Sequence, residues 1–362
     1  MANKIKPHSN TDNIQKGRGS QVNPHNRFFR NEYVPEEKQV MPWDEPEENP
    51  RTQYIDIFPK AILSENNSPD LGFRYGINPY NGCEHGCVYC YARNSHEYWG
   101  YSAGIDFETK ILIKKNAPEL LEEAFQKKSY QPDHVMFSGN TDCYQPAERK
   151  FELTRKMLAL FLKYQHPVGL ITKNSLILRD LDILKELNEK NLVRVTISIT
   201  SLREETRRLL EPRTSSVYQK LKAVETLVQA GIPVNVNMAP IIYGINSDEI
   251  FDLVKTVGDL GAYSVSYILV RLNGQIAQIF EDWVHKAFPE RAEKILNQIK
   301  QTHGGSLNES RWGVRMRGEG EYAENIKQVF DLARKKFITA PKPEPMSFEN
   351  FVRTDKGQMR MF

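Results

Sequence analysis

The feature that most restricts the fold is an alternation of strand-like and helix-like segments that begins near residue 109. Apolar residues recur at helical spacing in one segment and crowd into short runs in the next. The predicted strands cover 110–114, 134–137, 168–172 and 193–200, and two more begin at Pro233 and Tyr263. The predicted helices cover 118–127, 147–164, 178–189 and a segment from Val217 that ends at Gly231. This alternation predicts a mostly parallel sheet covered by helices rather than a helical bundle.

Three of the predicted strands carry polar side chains on one face. The polar positions that alternate with apolar ones are Arg194, Thr196, Ser198 and Thr200, then Asn235 and Asn237, then Ser264 and Ser266. A closed barrel with a packed interior has apolar residues on both faces of its strands. We therefore predict an α/β fold, a partial (β/α)6 barrel of the TIM type with an open side and a polar lumen. An antiparallel sheet with one solvated face is the alternative, and the intervening helices argue against it.

Length and composition suit one large domain with tails. The chain has 362 residues, 40% of them hydrophobic, and a net charge of +3, which by itself does not indicate a nucleic-acid-binding protein. We expect a disordered tail over 1–51, first basic and then acidic, and the barrel over 52–280. A C-terminal helical extension over 281–337, with a strand near 314–317, should cover the barrel, and 338–362 should be a flexible tail. Without a long apolar run or an apolar leader, we expect a cytoplasmic protein with no membrane contact.

Three of the four cysteines lie in one short loop. A predicted strand over 73–77 leads into Cys83, Cys87 and Cys90, spaced C-x3-C-x2-C, and Gly82 and Gly86 allow that loop to curl. Clustered cysteines indicate metal ligation in a reducing compartment rather than disulfides. Three thiolates can hold a 4Fe–4S cluster with one iron open to an outside ligand. A zinc site is the alternative, but its fourth ligand would be His85, awkwardly placed between two cysteines.

This loop resembles the signature of the radical S-adenosylmethionine (SAM) enzymes. The run from Tyr80 to Tyr91 is most similar to that of the spore photoproduct lyase-like group, also called DNA repair photolyase-like proteins, and the resemblance extends over about 70–270. It implies a 4Fe–4S cluster on the three cysteines and SAM on the open iron. One electron then cleaves SAM to a 5′-deoxyadenosyl radical, which abstracts hydrogen from a substrate.

The resemblance also implies a set of SAM-binding residues. Tyr89 matches the aromatic residue against the adenine, and Ser138, Gly139, Asn140, Thr141 and Asp142 match the segment that binds the methionine amino group. Lys173 matches the lysine near the methionine carboxylate, and Ser198, Glu211 and Arg213 match later cofactor-side motifs. Alternatively, Lys173 and Arg213 are solvated charges and Ser198 is a hydroxyl of the lumen. Their positions after successive predicted strands favour a site, because barrel sites lie at strand C-termini.

One departure from the family pattern concerns hydrogen transfer. Where the lyase has a cysteine that returns a hydrogen atom to the substrate, this chain has Asn140, and Cys143 follows three residues later. Cys143 is therefore either a displaced donor and candidate catalytic residue, a substrate-side thiol, or an ordinary buried cysteine. The departure argues against spore photoproduct repair itself and does not affect the superfamily assignment.

The expected partners follow from the resemblance and from the termini. The lyase-like motifs and the basic N-terminal residues indicate a nucleic-acid substrate, while a protein or small metabolite remains open. An external electron donor is required. The residues Gln358–Phe362 resemble a bacterial sliding-clamp peptide, with a frayed terminus as the alternative. A non-catalytic iron–sulfur or zinc module that binds nucleic acid or protein is the rival to the enzyme hypothesis.

Overall fold

The computed structural model describes residues 15–29 and 51–353. Its strands are β1 Gln53–Ile57, β2 Leu63–Glu65, β3 Tyr75–Ile77, β4 Tyr80–Asn81, β5 Lys110–Lys114, β6 Val135–Phe137, β7 Val168–Thr172, β8 Val193–Ser198, β9 Val234–Ile241 and β10 Ser264–Leu269. Its α-helices are α1 Ile105–Thr109, α2 Ala117–Gln126, α3 Glu148–Phe151, α4 Leu153–Lys163, α5 Leu181–Glu189, α6 Glu204–Leu210, α7 Val217–Gln229, α8 Ile250–Asp259, α9 Ile276–Ala287, α10 Ala292–Gln301 and α11 Glu321–Phe337. Shorter 3-10 helices cover Tyr91–Trp99, Ser175–Asp180 and Ser247–Glu249.

The main sheet has seven strands in the order β10-β9-β8-β7-β6-β3-β2. The six strands from β3 to β10 in this sheet are parallel and follow one another in chain order, and β2 pairs antiparallel to β3 at the edge. In the described part of the chain, β10 and β2 are the two ends, so the sheet is open. The predicted parallel sheet of six strand–helix units is confirmed, and the carboxyl ends of its strands share one edge.

The polar strand faces form the predicted lumen. Val193, Val195 and Ile197 are buried in the main hydrophobic core, on the face of β8 opposite the polar residues. On the other face, the Asn235 amide donates to the hydroxyl of Ser266 at 3.2 Å, and that hydroxyl donates to Asn237 Oδ1 at 3.1 Å. Adjacent strands are therefore joined by hydrogen bonds inside the barrel as well as by their backbones.

Three local predictions are wrong. Strand β5 does not belong to the barrel but pairs with β1 and β4 in a separate sheet of three strands, and β3 takes the first barrel position. The predicted helix 147–164 is broken at Glu152, which has φ +52°, because the buried Glu148 carboxylate accepts the backbone N–H of Thr154 at 3.1 Å. Residues 314–317 form turns rather than a strand.

The predicted disordered tail is wrong for residues 15–29. Arg18, Ser20 and Asn26 are buried there, and the Glu108 carboxylate accepts the backbone N–H groups of Gly19 at 3.0 Å and Ser20 at 2.7 Å. We call residues 15–29 the N-terminal strap. A polar segment of this kind is ordered because a buried carboxylate satisfies its backbone donors rather than because it has an apolar core of its own.

The predicted flexible tail is likewise wrong for residues 338–353. The Phe351 ring packs edge-on against His166 at 5.4 Å, and Val352 donates its N–H to the Tyr164 carbonyl at 3.1 Å. Within the extension, α11 packs against α8 and β10, and α9 crosses the predicted boundary at residue 280. The tail predictions for 1–14, 30–50 and 354–362, including the clamp-like Gln358–Phe362, lie outside the described residues.

No helix in the described ranges is both long and apolar enough to cross a lipid bilayer.

Candidate functional site

The cysteine loop follows β4 and lies over the carboxyl ends of the barrel strands. Cys83 and Cys87 are buried and Cys90 is half-buried. The Cys83 N–H donates to the Phe107 carbonyl at 2.8 Å, and Gly82 and Gly86 adopt φ of +77° and +68°, which glycine tolerates without strain. Burial raises the pKa of the Cys83 thiol, and the nearby Asp142 carboxylate and the other two cysteines raise it further. Burial also raises the pKa of the Cys87 thiol, so the region around these two buried cysteines disfavours their free thiolates.

The ligand set does not suit a single metal ion. Within residues 15–29 and 51–353, no three His, Cys, Asp or Glu side chains lie close enough to hold one ion. His85 is buried with both ring nitrogens in use: Nδ1 lies 3.4 Å from Asp142 Oδ2, and Nε2 lies 3.2 Å from the Asn174 amide. A zinc site with His85 as fourth ligand is therefore not supported. The three thiols of the loop are free, as the ligands of a 4Fe–4S cluster must be.

Asp142 fastens the cysteine loop to the strand ends. Its carboxylate accepts the Thr172 hydroxyl at 2.7 Å and the Lys173 backbone N–H at 2.7 Å, besides contacting His85. Burial alone would raise the pKa of Asp142, but His85 and these hydrogen bonds outweigh burial and lower it to about 2. This carboxylate is therefore charged and holds the loop, β6 and β7 in fixed relation. The sequence suggested Asp142 only as the end of the cofactor segment and His85 only as an alternative zinc ligand, so the contact between them was not predicted.

Lys173 is a cation without a partner in the described part of the chain. It follows β7 and is half-buried, and its ammonium makes no hydrogen bond and no ion pair there. Burial would lower the pKa of Lys173, but the ionisable Cys87 thiol and the Glu211 and Asp142 carboxylates outweigh burial and raise it above its usual value. The ammonium is therefore charged, close to the cysteine loop and available to an anionic ligand.

Tyr89 is held by a buried acidic group. Its hydroxyl donates to the Glu211 carboxylate, which also accepts a 2.6 Å hydrogen bond from the Lys220 ammonium. Burial opposes ionisation of Glu211, yet Lys220 and Lys173 lower its pKa to about 2. Since both Glu211 oxygens have protein partners, the geometry gives Glu211 a role in positioning Tyr89. Sequence reasoning missed Lys220, although a charged residue on the apolar face of α7 was a visible signal.

The segment 138–141 lies beside the residues that follow Cys90. The Asn78 side-chain oxygen accepts the backbone N–H groups of Asn140 at 2.8 Å and Thr141 at 3.2 Å. The Asn140 amide donates to Ser95 at 3.0 Å. Ser138, with φ +67°, starts the turn after β6, and the Tyr91 hydroxyl donates to the Gly139 carbonyl. The predicted cofactor segment is thus brought to the cysteine loop.

The remaining predicted residues occupy different environments. Ser198 ends β8 with 1% exposure on the lumen face. Cys143 is fully buried in the main hydrophobic core, where burial raises its thiol pKa well above the usual range. Of the alternatives for Cys143, the structure favours an ordinary buried cysteine. Arg213 has an exposed side chain beside Gly17 of the strap, and only its backbone N–H, donated to His85 at 3.2 Å, reaches the loop.

Comparison with known proteins identifies the family. The Radical SAM superfamily model matches residues 77–257, half of the chain. The uncharacterized protein Rv2578c of Mycobacterium tuberculosis is 30% identical over 240 residues, which cover 66% of this chain and 71% of that protein. The uncharacterized protein MJ0683 of Methanocaldococcus jannaschii is 27% identical over 250 residues, covering 69% of this chain and 89% of that protein. The chain belongs to the radical SAM superfamily of enzymes, which implies a 4Fe–4S cluster and SAM as its cofactors.

A solved structure of a spore photoproduct lyase variant with bound AdoMet and dinucleoside spore photoproduct shares the fold. It superposes with a TM-score of 0.59 at 15% identity and covers 79% of each chain. At this identity the likeness concerns the fold alone, and it confirms the predicted partial barrel.

Proposed function

We propose that this protein holds a 4Fe–4S cluster on Cys83, Cys87 and Cys90 and uses SAM to act on a nucleic-acid substrate in a repair-like reaction. The observation that carries this proposal is the grouping of the three loop thiols with the Lys173 ammonium, which has no hydrogen bond or ion pair among the described residues. Three thiolates leave one cluster iron for an outside ligand, and the ammonium suits a carboxylate. When bound, the cluster and SAM supply a 5′-deoxyadenosyl radical that removes a hydrogen atom from the substrate.

Each neighbouring residue has a defined part in holding SAM. Lys173 pairs with the methionine carboxylate, and Asp142 fixes its position through the 2.7 Å hydrogen bond from the Lys173 backbone N–H. The segment 138–141, held by Asn78, presents polar groups to the methionine amino group. Tyr89, oriented by Glu211, offers its ring to the adenine. These contacts orient the cofactor before reaction, which lowers the entropic cost of the chemical step.

The substrate belongs in the lumen. Asn235, Ser266 and Asn237 supply donors and acceptors there, as a polar molecule requires. A nucleic-acid substrate is supported by the fold shared with spore photoproduct lyase, whose structure contains a dinucleoside photoproduct. With Asn140 in the place of the family cysteine and Cys143 buried, the proposed reaction is not spore photoproduct repair itself.

Two partners complete the proposal. An external donor supplies the electron that the reaction consumes. Binding of Gln358–Phe362 to a sliding clamp would bring the enzyme to replicating DNA. Titration of a labelled peptide of these residues against the clamp tests this binding. No binding at high micromolar clamp would refute it.

The reaction test uses anaerobically reconstituted protein with reductant and SAM. We expect 5′-deoxyadenosine, measured by chromatography, and we expect Lys173→Ala to raise the Kd for SAM about tenfold or more, because a charge-assisted contact is lost. Lys185→Ala, an exposed lysine on α5, is the matched control and should bind SAM normally. Iron-loaded, reduced protein that forms no 5′-deoxyadenosine with or without DNA would refute the proposed function.

A further inference from the structure

A second cation without a partner lies at the other side of the lumen mouth. Arg271 follows β10, and within the described ranges its half-buried guanidinium makes no hydrogen bond and no ion pair. Its backbone is fixed on both sides, because Val270 donates to the Ile241 carbonyl at 3.0 Å and Leu272 donates to the Leu307 carbonyl at 2.9 Å. A rigidly placed arginine that is partly desolvated but unpaired is costly to keep, unless a ligand completes it.

Asp70, the carboxylate whose charge acts on Arg271, already has other partners. Asp70 accepts hydrogen bonds from the Arg315 guanidinium at 2.6 Å and from the Gly313 N–H at 2.8 Å. Burial lowers the pKa of Arg271, and the adjacent positive charge of Arg315 lowers it further. Since Asp70 is hydrogen-bonded to Arg315, it gives Arg271 no hydrogen-bonded counter-charge.

Aromatic rings alternate with these guanidiniums. The Arg271 guanidinium carbon lies 6.0 Å from the centre of the Tyr91 ring, and that of Arg315 lies 4.0 Å from the centre of the Trp312 ring. Tyr91 is 47% exposed and Trp312 is 56% exposed, so both rings retain open surface. We call Tyr91, Arg271, Arg315 and Trp312 the mouth row. Since Tyr91 directly follows Cys90, one end of the mouth row adjoins the site of chemistry.

The charges of the expected ligands assign Lys173 and Arg271 to different molecules. SAM brings a single carboxylate, which Lys173 satisfies in the proposed function on which this inference rests. Arg271 therefore remains for an anionic group of the substrate. Exposed rings interleaved with guanidiniums suit a single-stranded nucleic acid, whose bases stack on aromatic side chains while its phosphates meet the cations.

We infer that the mouth row binds single-stranded nucleic acid, with Arg271 contacting a backbone phosphate and Trp312 stacking on a base, and so directs one nucleotide into the lumen. A carboxylate-bearing peptide offers Arg271 an anion but gives Trp312 no flat base to stack on. A nucleic acid therefore explains both the guanidinium without an ion pair and the exposed ring, whereas an acidic peptide explains only the guanidinium.

The test measures binding of fluorescein-labelled (dT)15 to cluster-reconstituted full-length protein by anisotropy at several salt concentrations. We expect Arg271→Ala to weaken binding about tenfold and to reduce the slope of log K against log salt by about 0.7, the value for one phosphate contact on a single strand. Arg271→Lys should restore most of the slope. Trp312→Ala should weaken binding about tenfold with the slope unchanged, because stacking releases no counterion.

Arg334→Ala is the matched control, since Arg334 is an exposed arginine of α11 with only a 3.9 Å ion pair to Asp331. Binding by Arg271→Ala that equals binding by Arg334→Ala would overturn the inference. So would a glutamate-rich peptide that competes as well as (dT)15. If either result is obtained while the wild-type protein still cleaves SAM, this inference alone is refuted. If the wild-type protein binds (dT)15 but cleaves no SAM, the proposed function alone is refuted.

Discussion

Replacing Cys83, Cys87 or Cys90 by alanine should abolish both iron retention and SAM cleavage. Each substitution removes one of the three cluster ligands that the proposed function assigns. After anaerobic reconstitution, the wild-type protein should hold roughly four iron ions per chain, whereas each variant should hold far fewer and form 5′-deoxyadenosine only at background level. Iron assay, visible absorption and chromatography measure the three effects.

Cys143→Ala is the matched control for the loop cysteines. Its thiol lies fully buried in the main hydrophobic core, so its loss leaves a small cavity but removes no cluster ligand. We expect wild-type iron content in this variant. A Cys143→Ala protein whose circular dichroism spectrum shows a folded chain but which loses its iron would contradict the assignment of the three ligands. So would a loop cysteine variant that keeps the full iron content.

Replacing Glu108 by alanine should lower the free energy of unfolding by about 3–5 kcal/mol, because it leaves the guanidinium of Arg93 buried without its counter-charge. Arg93 and Glu108 are both fully buried, with Arg93 Nη2 2.5 Å from Glu108 Oε1. The same carboxylate accepts the Gly19 and Ser20 N–H groups of the strap, so its loss also releases the strap. Arg93 Nε donates to the Cys87 carbonyl at 2.9 Å, which links this core to the cysteine loop.

Urea unfolding of the iron-loaded protein and iron retention after dilution test this prediction. Glu186→Ala, an exposed glutamate on α5, should change stability by less than about 0.5 kcal/mol. The stability of Glu108→Gln should lie between those of Glu108→Ala and Glu186→Ala, because glutamine keeps hydrogen-bond capacity but loses the charge. A Glu108→Ala protein as stable as Glu186→Ala would show that the strap and the Arg93–Glu108 pair do not support the loop.

The local sequence pattern predicted the bounds of an element correctly where the whole element lies in one environment. The strand 168–172 was predicted with its observed bounds, because its apolar run is buried and bounded by His166-Pro167 and a polar turn. The helix predicted over 147–164 failed at Glu152, since the break depends on the buried Glu148 carboxylate and its partners, which no periodicity reveals. Strand β5 was placed in the wrong sheet because its partners β1 and β4 are chosen by tertiary packing.

The residues of the candidate site also fall into those that local motifs reveal and those that only distant contacts reveal. Its ligand cysteines and Lys173 were found because they stand in short motifs after strands. His85 was noticed only as a zinc ligand, and the roles of Asp142 and Lys220 were missed, because their hydrogen bonds join residues 57, 31 and 9 positions apart in separate elements.

The order of strands and helices, the polar lumen face and the three-cysteine loop could be predicted from the sequence, because local spacing and strand alternation encode each of them. Tertiary packing brings the polar N-terminal strap against that loop, buries Cys143, and leaves Lys173 and Arg271 without a hydrogen bond or ion pair among the described residues. Such facts depend on which distant residues come together, and burial and charge compensation arise only once they do.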